Sequence, residues 1–357
     1  MKTVFLKLGI LFLISIIPVA FYNYTFDPYG IFTDTSLGLG YEPGYEPNQH
    51  YAKMRHLIND DHSWDSYLFG SSRVGKIDPS LISGGKYYNM NYSEGVPGEH
   101  LEDIKMLLEK GFTLKNVMIG LDNSSYSISP EEHVDQIMRH GYERTFIKRL
   151  PFQIKYLCSA PRFSIMKYIQ QTMDDTMIVF DILGNGMQRL ERVDEKIERN
   201  IEDHIKSERF QATGKVTFDK VSEDRHMQMM EDTLRNISEI VRLSKEHGFN
   251  LYVFINPVHK LYYLQHNPEF FLMFKEKLAG VTQYWDFSGL NAITTNNYYY
   301  YETSHYRMLV GHMIICRIIG CSDVSLPEDF GVLITPENVS YHIAEQKKEL
   351  DRAGRDM

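Results

Sequence analysis

The sequence predicts an α/β protein built on a parallel sheet. Three observations carry that expectation. Short apolar runs of strand length recur at Tyr67–Phe69, Asn116–Leu121 and Leu251–Ile255. Amphipathic stretches of helical period lie between such runs, and glycines stop them at Gly111, Gly248, Gly280 and Gly320. The alternation of strand and helix implies parallel pairing through right-handed crossovers.

In order, Tyr67–Phe69 is the first strand, and Asp78–Ile82 is a short helix with Pro79 in its first turn. Lys86–Tyr92 is strand-like. Glu99–Lys110 is a helix with Leu101, Ile104, Leu107 and Leu108 on one face. Asn116–Leu121 is a third, buried strand. The pattern resumes with a long helix over Asp224–His247, the strand Leu251–Ile255 closed by Asn256-Pro257, a helix over Glu269–Ala279 and a short strand over Gln283–Phe287. A helix over Tyr306–Ile319 ends the series. The tail from Asp323 carries a strand-like Val332–Thr335 and a polar, exposed helix, to which no chemistry is assigned.

Between residues 124 and 220 the alternation stops. Helical patterns and a charged run, Arg189–Glu208, mark a helical insertion that emerges at the carboxyl edge of the sheet, a candidate lid or partner surface. The charged run itself reads as a solvated helix face. Residues 23–50, dense in Gly, Pro, Tyr and acids, read as an irregular connector. The expected organisation is a membrane anchor over 1–22, a connector over 23–63, an α/β domain over 64–320 containing the insertion, and a tail over 321–357.

Composition bounds the function. With 43% hydrophobic and 24% charged residues, the chain is globular rather than disordered. A net charge of −9 argues against a nucleic-acid partner. The three cysteines, Cys158, Cys316 and Cys321, have no metal spacing, and Cys316 in its apolar helix is expected to be a buried free thiol. Leu8–Phe21 is unbroken by charge, with Lys2 and Lys7 before it and Asp27 and Asp34 after it. That asymmetry puts the N-terminus in the cytoplasm and the main domain outside. A retained anchor is favoured over a cleaved signal, because Tyr22–Phe26 is a poor cleavage site.

The chemistry gathers at two places. The first strand stops at Gly70-Ser71-Ser72-Arg73, which sets a small hydroxyl at the carboxyl edge, where open α/β sheets act on ligands. Far along the chain, Glu302-Thr303-Ser304-His305 puts a carboxylate and an imidazole three residues apart at a helix entrance, on one side of a turn. The acid can hold Nδ1–H and leave Nε2 to take a serine proton. Each piece alone also fits a bland role: a capping serine, a surface glutamate, a first-turn histidine.

Together and in this order, the two elements resemble the SGNH/GDSL hydrolase family, over roughly residues 64–125 and 225–320. The resemblance implies a three-layer α/β/α fold with a mostly parallel, five-stranded, flavodoxin-like sheet. It implies Ser72 as nucleophile, His305 as base and Glu302 as orienting acid. It also implies an oxyanion hole from the N–H groups of Ser72 and Gly95 and a side-chain amide after the third strand. There the family's Asn-Asp order is reversed to Asp122-Asn123, so Asn123 must turn inward, since an ionised Asp122 cannot donate. The anchor, the Gly-Ser-Ser-Arg turn and the Ser-His-Tyr-Arg ending are similar to membrane-anchored members that acylate envelope polysaccharides. That likeness implies an acylated saccharide or acyl donor as substrate and a multi-span membrane acyltransferase as partner. No metal-ligand spacing, phosphate-cradling glycine loop or nucleotide fingerprint is present, so no cofactor or metal is expected.

Three residues carry paired expectations. Arg73 is a candidate substrate-binding residue or a partner of Asp78; Tyr298–Tyr301 a sugar-stacking platform or a packed β-prone run; His259 a pocket residue or a hydrogen-bonded loop histidine. Two functions follow: a serine esterase or O-acyltransferase, or a catalytically inactive relative serving as a binding or assembly component of an envelope-modifying complex.

Overall fold

In a computed structural model of the chain, which describes residues 2–33, 46–161, 163–173, 179–211, 223–321 and 324–353, the apolar runs pair into a six-stranded sheet. The chain forms two units, Met1–Asn59 with Ser129–Leu183, and Asp60–Ile128 with Gly184–Met357.

The second unit holds the sheet. Its strands are β1 (Ser66–Gly70), β2 (Tyr87–Asn89), β3 (Asn116–Leu121), β4 (Asn250–Ile255), β5 (Tyr284–Asp286) and β6 (Val332–Ile334). Their order is β2-β1-β3-β4-β5-β6; all pairs are parallel except β5–β6. Every residue of β1 and β3 is buried, which is why these runs are apolar on both faces rather than alternating. From β1 the chain first moves outward to β2 and then returns to lay β3 on the other side of β1. The connections leaving the carboxyl ends of β1 and β3 therefore diverge, and a crevice opens between them. Helix α3 (Pro97–Glu109) and the long α7 (Glu223–His247) pack against each other.

The five expected strands gain a sixth from the tail, which is part of the domain rather than an appendage. Phe330 is fully buried against Phe287, and Arg317 fastens the segment by donating to the carbonyls of Phe330 (2.9 Å) and Pro327 (2.6 Å). Helix α11 (Val339–Ala353) is only half polar surface, because Val339, Ile343 and Gln346 are buried. Beneath it Lys275, on α9 (Pro268–Ala279), is completely buried and donates to Asp286 and Ser288 at 3.0 Å each. His342 of α11 meets the same carboxylate at 2.8 Å. Burial pushes Lys275 below the ordinary lysine range, whereas Asp286 is held far below the carboxylate range because the Lys275 charge overcomes its desolvation.

The cysteines also differ from the expected free thiol. Helix α10 (Met308–Ile319) ends at Gly320 in the left-handed conformation (φ 80°), which folds the chain back so that the N–H groups of Gly320 and Cys321 both donate to the Cys316 carbonyl. That turn leaves the Cys316 and Cys321 Cα atoms 4.6 Å apart, and the two are joined as a disulfide; Cys158 is free and exposed.

The first unit holds α1 (Lys2–Phe26), α2 (Gln49–Asn59), α4 (Phe146–Leu157) and α5 (Ile165–Thr172); its core joins Tyr51 of α2 and Phe152 and Tyr156 of α4 to Tyr29 and Ile31, and α1 packs on α4. The expected connector is thus partly helical, in α2, while most of its Tyr-Glu-Pro segment lies outside the described residues. Among the described residues no helix is long and apolar enough to cross a membrane. Asn23 faces the carbonyls of Tyr156, Leu157 and Ser159 at 2.9–3.2 Å, fastening the end of α1 to the end of α4.

One pair of glycines lets the turn after β1 form. Gly70 and Gly120 are register partners in β1 and β3, and a Cβ on either would run into Cγ2 of Val74. At Gly70 that Cβ would also stand 2.7 Å from the Gly120 carbonyl, and φ is +153°. Both vacancies let Val74 settle over the strand ends and draw the serine turn tight against the sheet. Gly70→Ala is expected to lose about 1–3 kcal/mol of stability through overpacking against backbone; an unshifted denaturant midpoint would refute this account.

Candidate active site

At the end of β1 the chain bends through Ser71 and Ser72, where the Val74 N–H donates to the Ser71 carbonyl at 3.0 Å, into a short 3₁₀ turn, Val74–Lys76, closed by the Ile77 N–H donating to the Val74 carbonyl at 3.0 Å. Among buried neighbours on both sides, Ser72 is half-buried. Its Oγ lies 2.7 Å from Nε2 of His305, a residue 233 positions away. Nδ1 of His305 meets Oε1 of Glu302, and the other carboxylate oxygen accepts the Ser304 N–H at 2.6 Å. The structure thus brings Ser72, His305 and Glu302 together in relay order.

The acid–base pair sits in a bend ahead of α10, not in the helical turn that its three-residue spacing suggests. The bend is shaped by the bridge between Tyr300 and Tyr306 and by the Tyr301 N–H donating to the His305 carbonyl at 2.9 Å. In that bend the glutamate reaches forward to accept the Ser304 N–H while keeping its hold on the imidazole.

Arg73 ties this bend to the serine turn. The residue is 3% exposed, and its guanidinium donates to the Ser304 carbonyl and hydroxyl, both at 2.9 Å. It is ion-paired with Asp122 at 2.8 Å and lies over the ring of Tyr262, of α8 (Lys260–Gln265), at 4.8 Å. Asp122 also accepts from Ser71 Oγ (2.7 Å) and the Ser124 N–H (2.8 Å). Arg73 is therefore paired with Asp122 and Ser304 and not with Asp78, whose carboxylate instead caps the turn at Ser80. Three edges of the fold meet on this one guanidinium: the turn after β1, the turn after β3, and the acid–base bend.

The field in the site favours a neutral histidine and an ionised glutamate. Burial, together with the nearby Lys76 and Arg73 charges, holds His305 below the ordinary imidazole value despite the pull of Glu302. Burial alone would raise Glu302, but its hydrogen bonds to His305 and Ser304 outweigh that and lower it. Asp122 is likewise lowered: burial opposes ionisation, and the Arg73 charge overcomes it. A neutral His305 bearing its proton on Nδ1, as the glutamate requires, presents the Nε2 lone pair to Ser72.

The expected oxyanion donors are placed less simply. The Gly95 N–H donates to the Tyr92 carbonyl at 3.2 Å, closing a turn after β2. Asn123 is buried and gives an amide proton to the Tyr262 hydroxyl at 3.1 Å, so it does turn inward, but toward a neighbour. The other candidates are settled by their contacts. His259 is fully buried, bonded to Asn297 (2.9 Å) and the Leu261 N–H, in keeping with a hydrogen-bonded loop histidine. Tyr298–Tyr301 is packed in part, through a 3₁₀ turn over Asn297–Tyr299 rather than a strand: Tyr300 is in the core and Tyr301 donates to Asp194 at 2.7 Å, while Tyr298 and Tyr299 stay half-buried.

Sequence reasoning missed Asp122 as the partner of Arg73, Tyr262 beneath it, and the role of α6 (Glu191–Arg199). That charged run is not only a solvated face. Its Asp194 and Glu198 each bind the buried Arg307 at 2.6 Å, directly after the His305 bend. An available signal was the reversed Asp122-Asn123 pair, which sets an acid at the same carboxyl edge as Arg73. Among the described residues, the His/Cys/acid group close enough to share a metal is His312, Cys316 and Cys321, and its sulfurs are bonded to each other.

Removing the Asp122 charge would leave the Arg73 charge buried without its partner. Asp122→Asn is expected to cost about 3–5 kcal/mol in unfolding experiments; a loss of under about 1 kcal/mol, the worth of a surface pair, would show that the bridge is not structural. No protein-family model matches this chain, and no curated protein matches it in sequence.

Proposed function

We propose that the protein is a serine-dependent esterase or O-acyltransferase of the SGNH kind, with the three-layer α/β/α architecture of that family. The reading includes a retained N-terminal anchor with the main domain outside the cytoplasm, and acylated envelope polysaccharide as substrate class. The observation that carries it is the 2.7 Å contact of Ser72 Oγ with His305 Nε2, with Glu302 on the opposite ring nitrogen.

The chemistry follows from that geometry. Ser72 Oγ attacks the acyl carbonyl as its proton passes to Nε2 of His305. The C–O bond of the ester breaks, the departing alcohol takes the proton from His305, and the acyl group remains on Ser72. Water or a sugar hydroxyl then gives its proton to His305 and takes the acyl group, restoring the serine. Glu302 stabilises the imidazolium formed in each half.

The second reading, an inactive binding or assembly component, is favoured by one observation. The Gly95 N–H and an Asn123 amide proton already have protein acceptors, and loss of a single oxyanion donor typically costs about 10²–10³ in rate.

A fluorophosphonate probe separates the two. Wild-type protein is expected to be labelled and Ser72→Ala not; equal labelling of both, or none of either, favours the inactive reading. The pH profile gives an independent check. The base must be neutral, and a lowered His305 value means that it stays neutral further into acid, so the acid limb of the labelling rate is expected to fall below the ordinary histidine value of about 6.5. A limb centred above that value would contradict the site's electrostatics. Glu302→Gln, which removes the tautomer lock, is expected to slow labelling by roughly 10⁴-fold.

A further inference from the structure

The first unit carries an apolar surface that its own core does not use. Helix α4 buries Phe152 and Tyr156 but leaves Ile147 (80% exposed), Leu150 and Ile154 in solvent, spaced three and four residues apart along one face, with Phe146 beside them. Helix α5 exposes Ile165, Met166 and Ile169, and Met173 follows at 80% exposure. The end of α1 continues the series through Ile17, Phe21 and Tyr24.

These exposed faces belong to elements that are fastened together. Asn23 joins α1 to the carbonyl end of α4, Tyr22 donates to the Phe163 carbonyl at 3.0 Å, and Phe26 stacks on Phe163 at 4.6 Å, just before α5. The charge pattern is equally one-sided. From Phe146 through Thr172 the chain carries five Lys/Arg and no acid, in a protein of net charge −9. Lys148 and Lys155 are exposed and Lys167 is half-buried. Exposed apolar faces flanked by lysines are the pattern of helices that lie in the plane of a bilayer surface, with apolar side chains in the acyl boundary and cations at the headgroups.

We infer that α4 and α5 form a second membrane contact beside α1, seating the first unit on an anionic lipid surface. Continuity with the apolar α1 and the basic rim select lipid over a protein partner. This goes beyond a single anchoring helix, and it does not depend on the serine chemistry, which is read separately by probe labelling at Ser72. A helix lying in the interface holds its unit at a fixed depth, where an anchor alone would let it swing.

The test uses the full chain reconstituted into vesicles of phosphatidylcholine with phosphatidylglycerol. In a Cys158→Ser background, with Cys316 and Cys321 bonded to each other, single cysteines at Ile147 or Ile169 take an environment-sensitive thiol fluorophore. Tyr341→Cys, at a 73% exposed position of α11, is the control. The 147 and 169 labels are expected to shift to the blue and to be quenched by headgroup-proximal nitroxide lipids about three-fold or more above the control. Lys148→Glu/Lys155→Glu/Lys167→Glu, with an unchanged thermal melt, is expected to lower that quenching about two-fold or more, since each surface cation attracts anionic headgroups. Labels quenched no more than the control would overturn the proposal. So would a blue shift without nitroxide quenching, which marks burial against protein such as a second copy. Quenching that the charge-reversed variant leaves unchanged would also overturn it.

Discussion

The arrangement around the candidate site depends on the buried contact between Arg73 and Asp122. An arginine with 3% exposure is tolerable only when its charge and its donors are matched, and here one carboxylate and both oxygens of Ser304 match it. The result is mechanical as much as electrostatic. The planar fork of an arginine fixes the angles between its partners, so the turn after β1, the turn after β3 and the bend bearing Glu302 and His305 are set relative to one another. Lysine, with a single rotatable head, could not impose those angles.

That constraint explains how residues so distant in sequence reach hydrogen-bonding geometry. Ser72 stands between Ser71, which bonds Asp122, and Arg73, which bonds both Asp122 and Ser304. His305 directly follows Ser304. The reacting pair is therefore flanked on each side by groups engaged with the same ion pair, and its separation is held by neighbours rather than by its own weak attraction. Behind the bend, Arg307 with Asp194 and Glu198 of α6 fastens the other side. Two arginines, one on either side of the imidazole, thus do by long-range pairing what a local helical turn was expected to do.

How much was legible follows from the range of the forces involved. The strands β1 and β3 were readable to within a residue or two because burial on both faces demands an unbroken apolar run, and β4, whose second half is buried, carries the same signal in Leu251–Ile255. The long helices were readable because an amphipathic period and a terminal glycine are local signals. Ser72, Glu302 and His305 were legible as motifs, since three residues of spacing and a strand end are also local. What escaped was decided by partners far away in the chain. Val332–Ile334 could be seen as a strand, but nothing near it told that it would pair antiparallel with β5. The acids of the run Arg189–Glu208 looked solvated because Arg307 lies more than a hundred positions on. Cys316 looked like a core thiol because the left-handed turn at Gly320, which brings Cys321 back to it, has no hydrophobic signature.

The tail has a consequence of another kind. β5 is three residues long and would be the last strand of the sheet if the chain stopped after α10, leaving its outer row of amide and carbonyl groups open to any passing extended peptide. β6 occupies that row in the opposite direction, and its own outer edge is just as short. The closing segment thus uses up the outer row of β5 within the chain's own sheet and moves the open edge one strand further out, onto the strand that comes last in the chain.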